Sequence, residues 1–318
     1  MIPIDYIVQE ILLPLFILLA NFAEKKNSAR IALKIVLYGV CILEILSSLL
    51  LFLLQGYIEL FYYLPFRSVI ILTVIGVLMG FAGILVLQRR VRKALPFPIN
   101  SDSPLHTAGL FIVTQALVVI LFTVLLVNPL ESPSSMYSKS GMIDLSLFLL
   151  IYSLIAFLAV GFPIRRNFGE SMKRLGLHTP SLKQIYIASA FLIFFLLMDW
   201  QFTQLMKTYF ATAYQAIDEH FTYIYSDISK SVVGVILVGF SAGIGEELIY
   251  RGALQPRFGL FLTSFFFASL HMPLYGFTLI TLEILLAGLL LGYLRNVTNT
   301  TCAIFVHSIF DIALFFFY

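Results

Sequence analysis

The sequence has few charged residues and only two cysteines. Of its 318 residues, 12% are charged and 60% are hydrophobic. Soluble domains carry about 25% charged residues, so the composition excludes an ordinary soluble globular protein. Cys41 and Cys302 are far apart in the sequence and lie in apolar runs, which indicates neither a disulfide framework nor a thiolate metal site. Residues 1–10 contain no Lys or Arg, which argues against a cleavable signal peptide, so we expect the first apolar segment to be retained.

Long apolar segments make up most of the chain. A transmembrane helix needs about 20 mainly apolar residues, and about ten segments meet this requirement. They lie at residues 4–23, 31–54, 67–88, 107–127, 143–163, 184–206, 231–254, 258–274, 277–294 and 301–317. The sequence therefore predicts an all-α polytopic membrane protein with about ten transmembrane helices.

Basic residues are concentrated in alternate connectors between these segments. One set of connectors holds Lys25, Lys26, Arg30, Arg89, Arg90, Arg92, Lys93, Arg165, Arg166, Lys173, Arg174, Lys183, Arg257 and Arg295; the other holds Arg67, Lys139, Lys207 and Lys230. Positive charge is retained on the cytoplasmic side. We therefore expect both termini outside and the end of the seventh segment near the cytoplasmic side. The basic runs mark topology, and no nucleic-acid partner is expected.

Three other polar features have structural interpretations. Residues 167–177 have the pattern of a short amphipathic helix on the inner membrane surface, with Gly176 as its stop. Glu44, in the middle of the second segment, is interpreted as a hydrogen-bonded helix contact. The adjacent Asp218, Glu219 and His220 do not form a good metal site, because one histidine and acids at helical spacing do not converge.

The ionisable groups inside apolar segments are concentrated in the last four segments. This asymmetry divides the chain into N-terminal accessory helices, residues 1–142, and a C-terminal functional bundle, residues 143–318. No internal repeat is visible, which argues against a transporter built from inverted repeats.

Three of the last four segments carry costly polar groups. Glu247 and Arg251 are four residues apart and can pair on one helix face, whereas Glu246 points about 100° away. His271 ends the eighth segment, and His307 and Asp311 share one face of the tenth. Each residue alone has a structural interpretation, but together such groups require mutual partners or a water-filled cavity. A glutamate and a histidine suit acid–base catalysis, and a second histidine with an acid can stabilise an oxyanion or bind a metal.

These residues form three ordered motifs that resemble a known family. The motifs are Glu246-Glu-Leu-Ile-Tyr-Arg251 (EExxxR), Phe267-Ala-Ser-Leu-His271 (FxxxH) and His307-Ser-Ile-Phe-Asp311 (HxxxN/D). Their order and spacing resemble the CAAX prenyl endopeptidase and bacteriocin-processing (CPBP, or Abi) family of intramembrane proteases. The similarity covers about residues 165–318 and includes Lys173–Leu177 and Gly288–Tyr293.

The resemblance implies hydrolysis of a peptide bond in a membrane-associated protein or peptide, prenylated or leader-bearing. It implies that Glu246 and His271 activate a water and that His307 and Asp311 form an oxyanion site. Glu247 and Arg251 would then shape the site, and Phe267 would pack the helix that carries His271.

Residue 311 leaves three chemical alternatives open, namely a protonated Asp311, an Asp311 that orients His307, and an Asp311 that binds a metal with the histidines. The prenyl endopeptidases carry Asn here, and an ionised Asp cannot donate a hydrogen bond to an oxyanion. We favour Asp311 as the group that orients His307, without a cofactor. The metal alternative is zinc, held by His271, His307 and Asp311. Two other functions also remain open, namely a non-catalytic membrane scaffold or immunity factor of the same fold and a proton-coupled transporter.

Overall fold

The computed structural model describes residues 4–56, 66–126, 128–134 and 138–317, and the regular secondary structure of these residues is helical. The helices are α1 (Ile4–Ala23), α2 (Asn27–Leu53), α3 (Phe66–Leu87), α4 (Arg89–Ala94), α5 (Pro104–Leu126), α6 (Met142–Val160), α7 (Phe168–Leu175), α8 (Leu182–Tyr209), α9 (Ala211–Tyr225), α10 (Val232–Glu247), α11 (Gln255–Tyr275), α12 (Leu279–Val297) and α13 (Thr300–Phe317). A 3₁₀ turn lies at Pro129–Glu131, and a π-helical segment, Leu248–Leu254, joins α10 to α11. The side chains of residues 1–12, on which the signal-peptide prediction rests, lie outside the described part.

Seven helical stretches in the described residues are long and apolar enough to cross a membrane. Two shorter apolar helices, Leu13–Ala23 and Thr300–Phe316, coincide with the first and tenth predicted segments. The predicted segments 231–254 and 258–274 form one continuous helical run of 44 residues, Val232–Tyr275. The all-α, multi-pass membrane class is therefore confirmed, and the count of ten is approximate.

The predicted connector between the seventh and eighth segments is wrong. The helical run bends at Gly259, whose φ of 80° and ψ of 171° are readily adopted only by glycine. Arg257, which the sequence placed in a cytoplasmic connector, is only 7% exposed. Its guanidinium donates hydrogen bonds to the main-chain oxygens of Ala253 and, at 2.9 Å, of Ala159 on α6. An arginine can be buried here because these carbonyl groups satisfy its donors.

Residues 15–127 form one compact unit, in which α2 packs along α3. Its buried core consists of Ala20, Ala23, Leu33, Leu37, Cys41, Leu87, Leu105, Ala108 and Phe111. Small residues on α3 allow the backbone of α2 to approach closely, since a Cβ added at Gly80 would lie 2.6 Å from the Cys41 carbonyl oxygen. Gln115 on α5 donates to Glu44 Oε2 at 3.0 Å, which agrees with the interpretation of Glu44 as a helix contact.

Residues 128–318, together with residues 1–14, form a second compact unit. Here α10 packs directly against α13, because Gly239 and Gly243 leave room for the Ser308 backbone. An added Cβ would lie 2.5 Å from Ser308 O at Gly239 and 2.1 Å from Ser308 Oγ at Gly243. Small residues at four-residue spacing allow such close helix pairs in membranes. The next position in this series is Glu247, which therefore faces α13 beside His307. The functional boundary at residues 142 and 143 stays a prediction.

The predicted amphipathic helix is α7. It begins at an Asn167 cap, whose side chain accepts from the Glu170 main-chain nitrogen, and ends at Gly176 with a φ of 76°. Leu175 is fully buried, and the main-chain oxygen of Gly176 accepts a hydrogen bond from the Thr300 nitrogen at 3.0 Å. The end of α7 is thereby fixed to the start of α13.

We expect Gly243→Ala to destabilise the protein by about 1–3 kcal/mol, the usual cost of overpacking, because the added methyl group would overlap Ser308. Gly39→Ala in α2 is the matched control, since a Cβ there meets nothing within 4 Å. Thermal unfolding of detergent-solubilised protein measures the difference. Equal midpoints for both variants would contradict the close packing of α10 on α13.

Candidate functional site

The Glu247 carboxylate joins several elements of the C-terminal unit. The residue is fully buried, with Oε1 2.8 Å from His307 Nδ1 and Oε2 3.1 Å from Arg251 Nε. Arg251, 1% exposed, also donates from Nη2 to the main-chain oxygen of Gly288 at 3.1 Å. One buried acid thus links α10 to α13 directly and to α12 through Arg251.

The glycines of α12 provide the carbonyl acceptors for this network. Gln255 donates to the main-chain oxygen of Gly292 at 2.9 Å, one helical turn beyond the Gly288 acceptor. A Cβ at Gly292 would lie 2.8 Å from Gln255 Oε1, so a larger residue would push the amide away. The two glycines of the Gly288–Tyr293 pattern therefore leave the α12 carbonyl groups accessible to the side chains of Arg251 and Gln255.

The π-helical segment begins directly after Glu247. Such segments are rare and occur often at functional sites. Within it, Tyr250 and Arg251 are both buried. The Arg251 guanidinium lies 4.7 Å from the centre of the Phe267 ring, a distance suited to a cation–π contact. Phe267 thus packs between Arg251 and His271.

His307 contacts two acids. Its Nδ1 makes the 2.8 Å contact with Glu247, and its Nε2 lies 3.5 Å from Asp311 Oδ2. The shorter contact therefore belongs to Glu247, which was not expected as a partner of His307, and the orienting role of Asp311 stays a prediction. The series Gly239, Gly243 and Glu247, at four-residue spacing, is the sequence signal that could have indicated that Glu247 faces α13.

His271 has one nitrogen engaged and one available. Its Nδ1 lies 2.9 Å from the main-chain oxygen of Phe267. A carbonyl oxygen only accepts, so Nδ1 carries the proton and Nε2 of the neutral ring is free to accept one. The ring also lies 4.8 Å from the Phe267 ring, which restricts its movement.

Glu246 is separate from the Glu247 network. Its Oε2 atom is buried and has no hydrogen-bond partner among the described residues. The carboxylate lies close enough to His307 and Asp311 to interact with both electrostatically. An unsatisfied carboxylate oxygen is costly to bury, and a bound water is the smallest group that can satisfy it.

A cavity of about 220 Å³ brings together residues of α8, α9, α11, α12 and α13. Phe267, His271, His307 and Asp311 line it, and Glu246 is not among the described residues of its wall. The wall also includes three acids outside the three motifs, namely Asp199, Asp218 and Glu283. The sequence could have indicated Asp199 and Glu283 as site candidates, because both are acids inside predicted apolar segments.

The candidate ligands of the zinc alternative, His271, His307 and Asp311, are not grouped as a metal site among the described residues. Across the described residues there is no group of three or more His, Cys, Asp or Glu side chains that could hold a metal ion. His271 is directed by its contact with Phe267, and His307 by its contact with Glu247. His220, in the other segment considered for metal binding, lies with Nε2 3.0 Å from the Ser132 main-chain oxygen. We therefore derive no step through a metal.

Comparison with known proteins identifies a family domain around this site. Residues 228–313 match the family of type II CAAX prenyl endopeptidase Rce1-like proteins. The match contains all three motifs and confirms the resemblance for this part of the chain, although the expected similarity began near residue 165. No curated protein and no solved structure gives a significant match. The match supports a CAAX-type membrane protease.

We expect Arg251→Met to destabilise the protein by about 3–5 kcal/mol, because it removes the guanidinium that lies 3.1 Å from the buried Oε2 atom of Glu247. Arg89→Met is the matched control, since the Arg89–Asp102 pair has side chains 57% and 61% exposed. An exposed pair contributes at most about 1 kcal/mol. Unfolding midpoints of both variants give the comparison, and an Arg251→Met protein as stable as the control would rule out this role of the ion pair.

Proposed function

Because residues 228–313 carry an Rce1-like domain, we propose that the protein is an intramembrane endopeptidase. It hydrolyses a peptide bond of a membrane-associated protein, prenylated or leader-bearing. The observation that carries the proposal is the convergence of His271, His307 and Asp311 on one cavity, with Glu246 close by. Ionisable groups of this number at membrane depth require a function or mutual neutralisation, and the Glu247–Arg251 pair neutralises only part of them.

Glu246 and His271 activate the attacking water in this proposal. The buried Oε2 atom of Glu246 accepts one hydrogen bond from the water. His271 Nε2, left free by the Nδ1 contact with Phe267, accepts the second. Water thus loses a proton to one of two bases as its oxygen attacks the carbonyl carbon, which is general-base catalysis.

His307 stabilises the oxyanion of the tetrahedral intermediate. Because Glu247 accepts the proton on Nδ1, Nε2 can donate to an oxyanion only when the ring carries both protons. Asp311 lies 3.5 Å from Nε2 and holds this N–H before the substrate binds. A charged donor fixed in place by Glu247 and Arg251 needs no reorganisation as negative charge develops on the substrate oxygen.

The cytoplasmic placement of the site belongs to the same proposal. The basic residues of the other connectors favour a position of the end of α10 near the cytoplasmic face, where a membrane-anchored substrate can approach laterally. The N-terminal helices, residues 1–142, are accessory to this reaction.

The test is a comparison of protein termini in membrane fractions from cells that make the wild type or Glu246→Ala. We expect termini that occur only with the wild type, because loss of a general base lowers the rate by about 10²–10⁴-fold. Glu44→Gln is the matched control, since Glu44 is another partly buried glutamate in an apolar helix and contacts Gln115. It should retain the wild-type termini.

Both variants must be present at wild-type abundance with unchanged unfolding midpoints. If Glu246→Ala produces the same termini as the wild type, the hydrolytic role of Glu246 is refuted. A cellular phenotype of the wild type that persists in Glu246→Ala, without any differing terminus, would favour the non-catalytic scaffold. Proteoliposome ion flux dependent on Glu246 would favour the transporter.

A further inference from the structure

The cavity wall carries a tyrosine that the mechanism above does not use. Tyr275 is the last residue of α11 and lines the cavity together with His271, His307 and Asp311. It follows His271 by four residues, so the two side chains lie on one face of the helix. Their rings are nearly parallel, at an angle of 18°, with centroids 6.4 Å apart. The phenol ring thus lies beside a proposed catalytic base.

The main chain around Tyr275 is held in one conformation. Helix α11 ends at Gly276, whose φ of 64° and ψ of −160° are readily adopted only by glycine. The Thr278 hydroxyl group donates to the main-chain oxygen of Tyr275 at 3.0 Å, and the Thr281 hydroxyl group donates to that of Gly276 at 2.6 Å. A donor that is fixed before the substrate binds needs no reorganisation during the reaction.

The hydroxyl group of Tyr275 can serve a ligand. Within the described part of the chain its oxygen takes part in no hydrogen bond, and the side chain is close enough to Glu246 and Asp311 to interact with both electrostatically. Two other wall residues carry hydroxyl groups, Thr203 on α8 and Tyr214 on α9, but neither shares a helix with a proposed catalytic residue. A phenol keeps its proton at neutral pH and can donate it in a hydrogen bond.

The proposed oxyanion site has only one donor without this residue. His307 Nε2 supplies that donor, and Asp311 accepts from the same N–H group. An ionised carboxylate cannot donate to the oxyanion itself. An oxyanion can accept more than one hydrogen bond, and negative charge in a mainly apolar cavity is costly when its acceptor capacity is not used. A second donor on the wall would therefore lower the energy of the transition state.

We infer that Tyr275 is a catalytic residue whose hydroxyl group donates the second hydrogen bond to the oxyanion. The inference rests on the proposed function, because an oxyanion forms only when the peptide bond is attacked. As the water oxygen bonds to the carbonyl carbon, the π electrons move to the carbonyl oxygen, and Glu246 or His271 takes a proton from the water. When the C–N bond breaks, that proton passes to the leaving nitrogen. Tyr275 and His307 keep their protons throughout.

The variant Tyr275→Phe removes the hydroxyl group and keeps the ring that stacks on His271. Purified full-length protein is added in detergent to membranes from cells that lack it. Mass spectrometry then measures how fast the termini appear that the wild type produces and Glu246→Ala does not. We expect the rate at saturating membrane to fall about 10²-fold, the usual effect of losing one oxyanion donor. The half-saturating amount of membrane should change little, because the hydrogen bond forms only in the transition state.

Tyr293→Phe is the matched control. Tyr293 is 54% exposed, its ring stacks on Phe191, and it does not belong to the described cavity wall. This variant should keep the wild-type rate. Both variants should unfold at the wild-type midpoint, since each keeps its aromatic ring.

The same substitution in the Asp311→Asn background separates a catalytic from a structural role of Tyr275. The new amide can donate a hydrogen bond, so Tyr275→Phe should cost at least about tenfold less there. A folding defect would lower the rate equally in both backgrounds. Equal losses, or a folded Tyr275→Phe protein at the wild-type rate, overturn the inference and leave the proposed function intact. If Glu246→Ala gives the same termini as the wild type, the proposed function fails and the inference fails with it.

Discussion

The cost of burying the Glu247 carboxylate in an apolar bundle constrains the rest of the C-terminal unit. A buried carboxylate must be matched by charge and hydrogen bonds, and Glu247 obtains them from Arg251 and His307. Arg251 in turn needs acceptors for its remaining donors, and one is the Gly288 carbonyl on α12. Three helices are thus held in one arrangement by groups that have few alternative partners in lipid. The same contacts orient His307 towards the cavity.

Glycines make this arrangement sterically possible. On α10, Gly239 and Gly243 bring the backbone close to Ser308, which places the next residue of the series, Glu247, within reach of His307. On α12, Gly288 and Gly292 expose carbonyl groups to side chains from the neighbouring helix. Dispersion and hydrogen bonding, rather than a hydrophobic driving force, favour such close packing in a bilayer. Site geometry and helix packing therefore depend on the same residues.

The helical class and the position of most helices could be predicted, because the bilayer requires long apolar segments whose backbone groups are satisfied internally. The continuity of the helical run from α10 into α11 could not. Gln255, Pro256 and Arg257 resemble a polar connector, but the carbonyl oxygens of Ala253 and Ala159 satisfy Arg257 inside the bundle. The Ala159 carbonyl group is distant from Arg257 in the sequence, so the fold alone brings this acceptor to the guanidinium.

Motif spacing predicted which helices carry the polar groups and that Glu247 and Arg251 share a face. It did not predict that Glu247, rather than Asp311, makes the shorter contact with His307, because spacing describes neighbours on one helix. The contact joins positions sixty residues apart and depends on how α10 packs on α13. Asp199 and Glu283 were visible as acids in apolar segments, but their position on one cavity wall depends on the packing of α8 against α12.

The most direct test of this account is a pair of double-mutant cycles on His307, one with Glu247 and one with Asp311, read out as unfolding free energy in detergent. Each cycle uses Glu247→Gln or Asp311→Asn with His307→Gln, alone and combined. The account predicts a coupling of about 1–3 kcal/mol between Glu247 and His307 and a smaller one between Asp311 and His307. Additivity within about 0.5 kcal/mol for Glu247 and His307, with strong coupling for Asp311, would contradict it.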